Sequence, residues 1–137
     1  HLQPLIKRCR SEEALPVEDV NANFAAYIDK AVGPPLADKT RRPLLAGNTL
    51  QCDWVLAGKF LPEVIARVHY RIIDVSSWKM HWCNTPGKSP FDKDKRGEIE
   101  RHFPGVYNSN QDAHDAHYDV LASIAEFNYY VQQMEAK

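Results

Sequence analysis

Helical spacing of apolar residues dominates this chain, and two short apolar runs interrupt it. Leu5, Ile6 and Cys9 form a brief helical stripe, and Val17, Val20, Phe24, Ile28 and Ala31 repeat it over a longer helix. That helix opens at Pro16, where a fixed φ suits the first turn, and Gly33-Pro34-Pro35 stops it. The polar connection to Pro43, with Asp38, Lys39, Arg41 and Arg42, reads as a surface loop. Leu44 to Ala46 reads as a short strand ahead of a glycine turn, and Asp53 to Phe60 as a helix with Trp54, Leu56 and Phe60 available for packing. Pro62 marks a kink or a restart, because a proline nitrogen carries no proton for the helical ladder. Leu61 to Val68 continues helically into a second, β-branched strand from Tyr70 to Val75.

Beyond that strand, Ser76 or Ser77 can cap a helix running through Lys79 and Trp82. Trp78 and Trp82 stand four residues apart, about one helical turn, which favours packing. Residues 84–112 are polar and rich in turn formers (Pro86, Gly87, Pro90, Pro104, Gly105), with one helical candidate from Arg96 to Phe103. The last helix, from about Ala113 to Gln133, sets Val120, Ile124, Phe127, Val131 and Met134 at alternating steps of four and three, the clearest helical signal in the chain. Strands separated by helices indicate an α/β fold. No internal repeat or low-complexity tract is present.

A length of 137 residues with 44% hydrophobic content allows one domain with a globular core and excludes a disordered tail. Seventeen basic against eighteen acidic residues leave a formal charge of −1, without the broad basic footprint that a long polyanion requires. A short oligonucleotide held locally suits that balance better. Cys9, Cys52 and Cys83 are odd in number and scattered, which predicts free thiols in a reducing compartment, with Cys52 as a small buried residue. No apolar run approaches the roughly 20 residues of a membrane span, so no membrane partner is expected. The chain starts at His1, as a cut or processed chain would.

The stretch Ala113-His114-Asp115-Ala116-His117-Tyr118-Asp119 opens the last helix. At about 100° per residue, the five-residue step from His114 to Asp119 turns roughly 140°, so the two cannot share one stripe of regular helix. His114 then belongs to the loop leading in and Asp119 to the first inward-facing turn. A loop-borne base beside a fixed carboxylate suits activation of water for attack on a phosphodiester. The same residue types also cap helix N-termini, and this segment alone leaves both readings open. His117 beside them suggests zinc, but no third well-spaced ligand appears. His81 and His102 have no evident partner.

Three segments taken together are more specific: Gly47-Asn48-Thr49 followed by Asp53, the run His69-Tyr70-Arg71-Ile72-Ile73-Asp74-Val75-Ser76-Ser77, and the HxAxxD pattern from His114 to Asp119. In order and spacing they resemble the oligoribonucleases, the small-RNA branch of the DEDDh 3′-to-5′ exonucleases. The likeness is weak up to about Arg42, strong from Pro43 to Ser77 and again from Ala113 onward; residues 78–112 depart from it. This resemblance implies the C-terminal part of a ribonuclease H-like three-layer fold, with two strands plus flanking helices and an incomplete sheet. Residues 84–112 then read as an insertion in a partial exonuclease domain spanning 1–137, covering the active site or docking a partner.

The resemblance also implies hydrolysis of very short RNA to 5′-mononucleotides by two ions, Mg²⁺ or Mn²⁺, which offset charge on the attacked phosphate and the departing 3′-oxygen. Carried over by position, Asp53 and Asp119 are metal-ligating acids and His114 the general base. Thr49 stands where the family usually has serine, and with His69, Tyr70 and Arg71 it matches the residues that hold the terminal 5′ phosphate. In that family the His-Tyr-Arg group reaches across a homodimer interface. Asp74, at a strand end before two serines, reads as structural, its carboxylate bonding backbone amides. The family's first acids form a D-x-E pair, and no aspartate of this chain is followed two residues later by glutamate. The expectation is an open apolar strand edge at Leu44, completed by another polypeptide or a separate N-terminal segment. Cytoplasm or mitochondrion fits the thiols. A contrasting expectation is a catalytically inactive exonuclease-derived subunit of a ribonucleoprotein such as an organellar ribosome.

Overall fold

The computed structural model describes residues 3–95, 97–104 and 116–135, in the order α1 (Gln3–Cys9), α2 (Val17–Val32), β1 (Leu45–Gly47), α3 (Leu50–Phe60), α4 (Pro62–Ile65), β2 (Ile72–Asp74), α5 (Val75–Cys83), α6 (Glu98–His102) and α7 (Ala116–Glu135). The fold is mixed α/β with an open two-stranded sheet among the described residues, as the pattern predicts. Its elements fall into two compact units, one of His1–Leu44 and Cys52–Arg71, the other of Leu45–Gln51 and Ile72–Lys137. Among the described residues no helix is long and apolar enough to cross a membrane.

In the first unit α2 packs on α4, and the chemistry of α4's first turn decides which face of α2 is buried. Pro62 restarts the helix after Leu61, which offers no side-chain cap. Asn21 Oδ1 instead accepts the Glu63 N–H at 3.1 Å, while Asn21 Nδ2 donates to Glu63 Oε1 at 3.3 Å. One orphan donor of the short helix is thereby satisfied from α2. The buried positions of α2 are accordingly Asn21, Ala25 and Ile28, a stripe rotated by roughly 70° from the expected one. Val17, Val20, Phe24 and Ala31 are exposed. Arg67 locks the same face through a fork to Asp29, Nε–Oδ1 at 2.8 Å and Nη2–Oδ2 at 2.9 Å, which raises its already high pKa. Leu56 and Phe60, expected to pack, are exposed, whereas Ala57 and Val64 are buried. Ile6 is exposed as well; the side chain of Leu5 lies outside the described residues.

The second unit contains the sheet. β1 and β2 are parallel, with Leu45 opposite Ile72, Ala46 opposite Ile73 and Gly47 opposite Asp74. Parallel neighbours require a crossover, and α3 and α4 lie within it in sequence. Leu44, just before β1, is 47% exposed. Val75 and Trp82 of α5, Phe91, Ile99 of α6, and Leu121, Ala122, Ala125 and Tyr130 of α7 form the core. The Trp82 and Tyr130 rings lie 5.6 Å apart and Tyr129 and Tyr130 5.4 Å apart, an aromatic cluster with large buried area. Phe91 and Ile99 show that the described part of residues 84–112 contributes to this core.

α7 corrects the expectation most sharply. The predicted stripe has Val120, Ile124 and Met134 exposed, and Phe127 and Val131 half-buried, with Phe127 set edge-on to Trp78 at 6.1 Å. The buried face carries Leu121, Ala122, Ala125, Glu126 and Tyr130 on nearly the opposite side. α7 therefore has two apolar faces, and periodicity picked the one whose side chains are larger and more regular. Asp74, rather than Ser76 or Ser77, caps α5. His102 is buried, with Nδ1 2.8 Å from Gln132 Oε1 and Nε2 3.4 Å from Glu98 Oε2. The three cysteines are free thiols, and Cys52 is exposed rather than buried.

Candidate functional site

Two polar constellations stand out, one in each unit. In the second unit the β1–α3 turn is built around Thr49, whose φ of +54° is left-handed and costly for a β-branched residue. Hydrogen bonds hold it there: the Thr49 N–H donates to Ser76 Oγ at 2.9 Å and to Asp74 Oδ1 at 3.2 Å. Asp74 Oδ1 also accepts the Ser76 N–H at 2.9 Å, and Oδ2 the Ser77 hydroxyl at 3.3 Å, so this carboxylate has the structural role expected of it. Ser76 Oγ donates to Asn48 Oδ1 at 3.1 Å, and the Thr49 hydroxyl lies 3.4 Å from that same oxygen of Ser76.

Beneath the turn, Asn48 Nδ2 donates to Ser123 Oγ at 2.9 Å and to Glu126 Oε2 at 3.2 Å. Glu126 is 4% exposed, and its other oxygen accepts the Tyr130 hydroxyl at 2.8 Å with Lys79 Nζ at 3.6 Å. A carboxylate so deeply buried is tolerated only with such partners. Burial first, and then the neighbouring Glu126 carboxylate, pushes the Tyr130 phenol well above its ordinary range. Ser123 Oγ in turn donates to the Asp119 carbonyl at 2.9 Å, tying the first turn of α7 to the network.

In the first unit His69, Tyr70 and Arg71 form a stack. The His69 and Tyr70 rings are 4.4 Å apart at an interplanar angle of 25°, and the Arg71 guanidinium lies 5.4 Å from the Tyr70 centroid. His69 is buried, whereas Tyr70 and Arg71 are exposed. His69 Nδ1 accepts the Arg71 N–H at 2.8 Å, and the His69 N–H donates to the Pro43 carbonyl at 2.8 Å. An acceptor at Nδ1 assigns the ring proton of the neutral imidazole to Nε2. The arrangement presents a phenol and a forked cation to solvent, both suited to phosphate oxygens.

The expected acids are both exposed: Asp53 in the first turn of α3, in the first unit, and Asp119 in the first turn of α7, in the second. Asp119 thus does not face inward within its unit. His114 lies outside the described residues. No group of three or more His, Cys, Asp or Glu side chains among the described residues could hold a metal ion. Two carboxylates are too few donors for a pair of divalent ions, so the described residues do not by themselves fit such a centre. Sequence reasoning named Asn48 and Ser76 only within motifs, without a role in this network, and missed Ser123 and Glu126. Ser123 and Glu126 stand four and seven residues after Asp119, on one helical stripe, which was the available signal.

The chain is 34% identical over 129 residues to a probable oligoribonuclease of Schizosaccharomyces pombe, covering 92% of this chain and 41% of that protein. It is 31% identical over 122 residues to the oligoribonuclease of Tropheryma whipplei, covering 85% and 52% respectively. The chain is similar to the oligoribonucleases over most of its own length. It spans about half the length, or less, of these curated oligoribonucleases. A mitochondrial oligoribonuclease of Bos taurus is 29% identical over 68 residues, half of this chain. No family model matches.

Proposed function

We propose that this chain is the C-terminal part of an oligoribonuclease-like 3′-to-5′ exoribonuclease that degrades very short RNA to 5′-mononucleotides. The observation that carries the reading is the His69-Tyr70-Arg71 stack, which presents a phenol and a guanidinium together at the surface of a chain related to oligoribonucleases. Thr49, on its constrained turn, supplies a further hydroxyl for the 5′ phosphate. Asp53, Asp119 and His114 are the catalytic residues of the proposal. The two aspartates would contribute to binding Mg²⁺ or Mn²⁺ once two further acids are supplied by another segment or chain, and the metal centre would stabilise charge on the phosphate. Support for completion comes from the exposed Leu44, just before β1 in sequence, and from α7, whose second apolar face is the kind a helix normally buries. We place the protein as a homodimer in the cytoplasm or mitochondrion, the latter supported by the named Bos taurus relative.

The test is turnover of a labelled RNA dinucleotide by the complete protein with manganese present. Hydrolysis to mononucleotides is expected, and Asp119→Ala or His114→Ala is expected to reduce it by at least about a thousandfold, as loss of an essential catalytic group does. Binding without turnover would instead favour an inactive subunit of a ribonucleoprotein, the reading that the missing D-x-E pair motivates.

A further inference from the structure

We propose that Glu126 is a positioning residue for Thr49: a buried carboxylate that holds the Asn48-Thr49 turn in its left-handed conformation and so sets the hydroxyl for the RNA 5′ phosphate. The last step rests on the function proposed above; the positioning itself does not. The chain of contacts is short and directional. Glu126 Oε2 accepts a hydrogen bond from Asn48 Nδ2 at 3.2 Å, which orients the amide so that Asn48 Oδ1 faces the Ser76 hydroxyl at 3.1 Å. With its proton committed to Asn48, Ser76 Oγ is left as an acceptor for the Thr49 N–H at 2.9 Å. Each bond fixes the polarity of the next, and Glu126, with Ser123 Oγ accepting from the same Asn48 Nδ2 at 2.9 Å, sets the direction of the series.

A purely structural buried carboxylate would need only enough donors to satisfy it. Tyr130 and Lys79 reach one oxygen, and the other is spent on a turn residue that is itself exposed. That second bond secures the backbone at a position where φ is +54° and no glycine relieves the strain.

Glu126→Gln keeps the size of the side chain but can turn an amide donor toward Asn48 Nδ2. Two readouts in the complete protein separate positioning from function. The first is amide hydrogen exchange at Thr49, expected to accelerate at least about tenfold, the scale of one lost bond to a charged group. The second is turnover of an RNA dinucleotide with and without a 5′ phosphate. KM for the phosphorylated form is expected to rise about tenfold, with kcat and the unphosphorylated form little changed. Because Glu126→Gln perturbs a buried site, Asn48→Ala, at an exposed position, is the second variant and is expected to reproduce both effects. Adding Thr49→Ala to either should cost nothing beyond Thr49→Ala alone. Unchanged exchange at Thr49 in both variants would overturn the proposal. So would losses falling equally on both dinucleotides alongside fast exchange, which would mark Glu126 as merely structural. If exchange accelerates but Thr49→Ala leaves phosphate preference intact, the positioning stands and the role of Thr49 in phosphate binding falls.

Discussion

The two polar constellations are built by opposite means. The Thr49 turn is exposed but rests on buried chemistry, with the Ser76 and Asn48 side chains relaying hydrogen bonds down to Glu126 and the 0%-exposed Tyr130. The Tyr70-Arg71 pair rests on stacking over His69 and one backbone bond, with both heads in water. A relay of directional bonds fixes one geometry, whereas a stack fixes a plane and leaves a long cation free to adjust. The turn should therefore fail through its foundations, and the stack only at its own members.

Removing the deepest foundation should have the largest effect. Tyr130→Ala deletes a fully buried ring between Trp82 and Tyr129 and is expected to destabilise the second unit by about 3–5 kcal/mol in chemical denaturation. A loss under about 1 kcal/mol would show that the cluster is not the core of that unit. The same residue makes the contrast sensitive to pH. Its folded pKa lies above the ordinary 10.0, so the protonated phenol's contribution is fully present below that value and declines as pH rises beyond it. Alkaline melting of the wild type should show this decline and Tyr130→Phe should lack it.

Next in size is the cap. Asp74→Ala removes the acceptor for Ser76 and Thr49 N–H groups and should cost about 1–2 kcal/mol, with the Thr49 amide losing protection; an effect confined to α5 would separate cap from turn. The smallest effect belongs to the open face of the first unit. Phe24→Ser is expected to change stability by no more than about 0.5 kcal/mol, because Phe24 is 38% exposed and outside the buried stripe of α2.

Element types were largely legible from the sequence: the helices over 17–32, 50–60 and 116–135, the proline restart at Pro62, and two short strands all follow from periodicity and turn chemistry. Faces were less so. On α2 the decisive contact was polar, Asn21 serving the first turn of α4, and hydrophobic patterning gives no weight to it. On α7 small Ala122 and Ala125 face the core, while larger Val120 and Ile124 do not. A single residue's role was legible where its contacts are local, as at Asp74. It was not legible where residues act in relay, because Asn48, Ser76 and Glu126 meet only after β1, α5 and α7 have packed.

The central proposal is that this chain helps to grip the 5′ end of a very short RNA, and the most direct measurement is the ratio of turnover on a 5′-phosphorylated dinucleotide to that on a long RNA by the complete protein. A strong preference for the dinucleotide that falls by about tenfold or more in Arg71→Ala is predicted, the scale of a lost charge-assisted phosphate contact. Equal loss on both substrates, or no preference in the wild type, would contradict it.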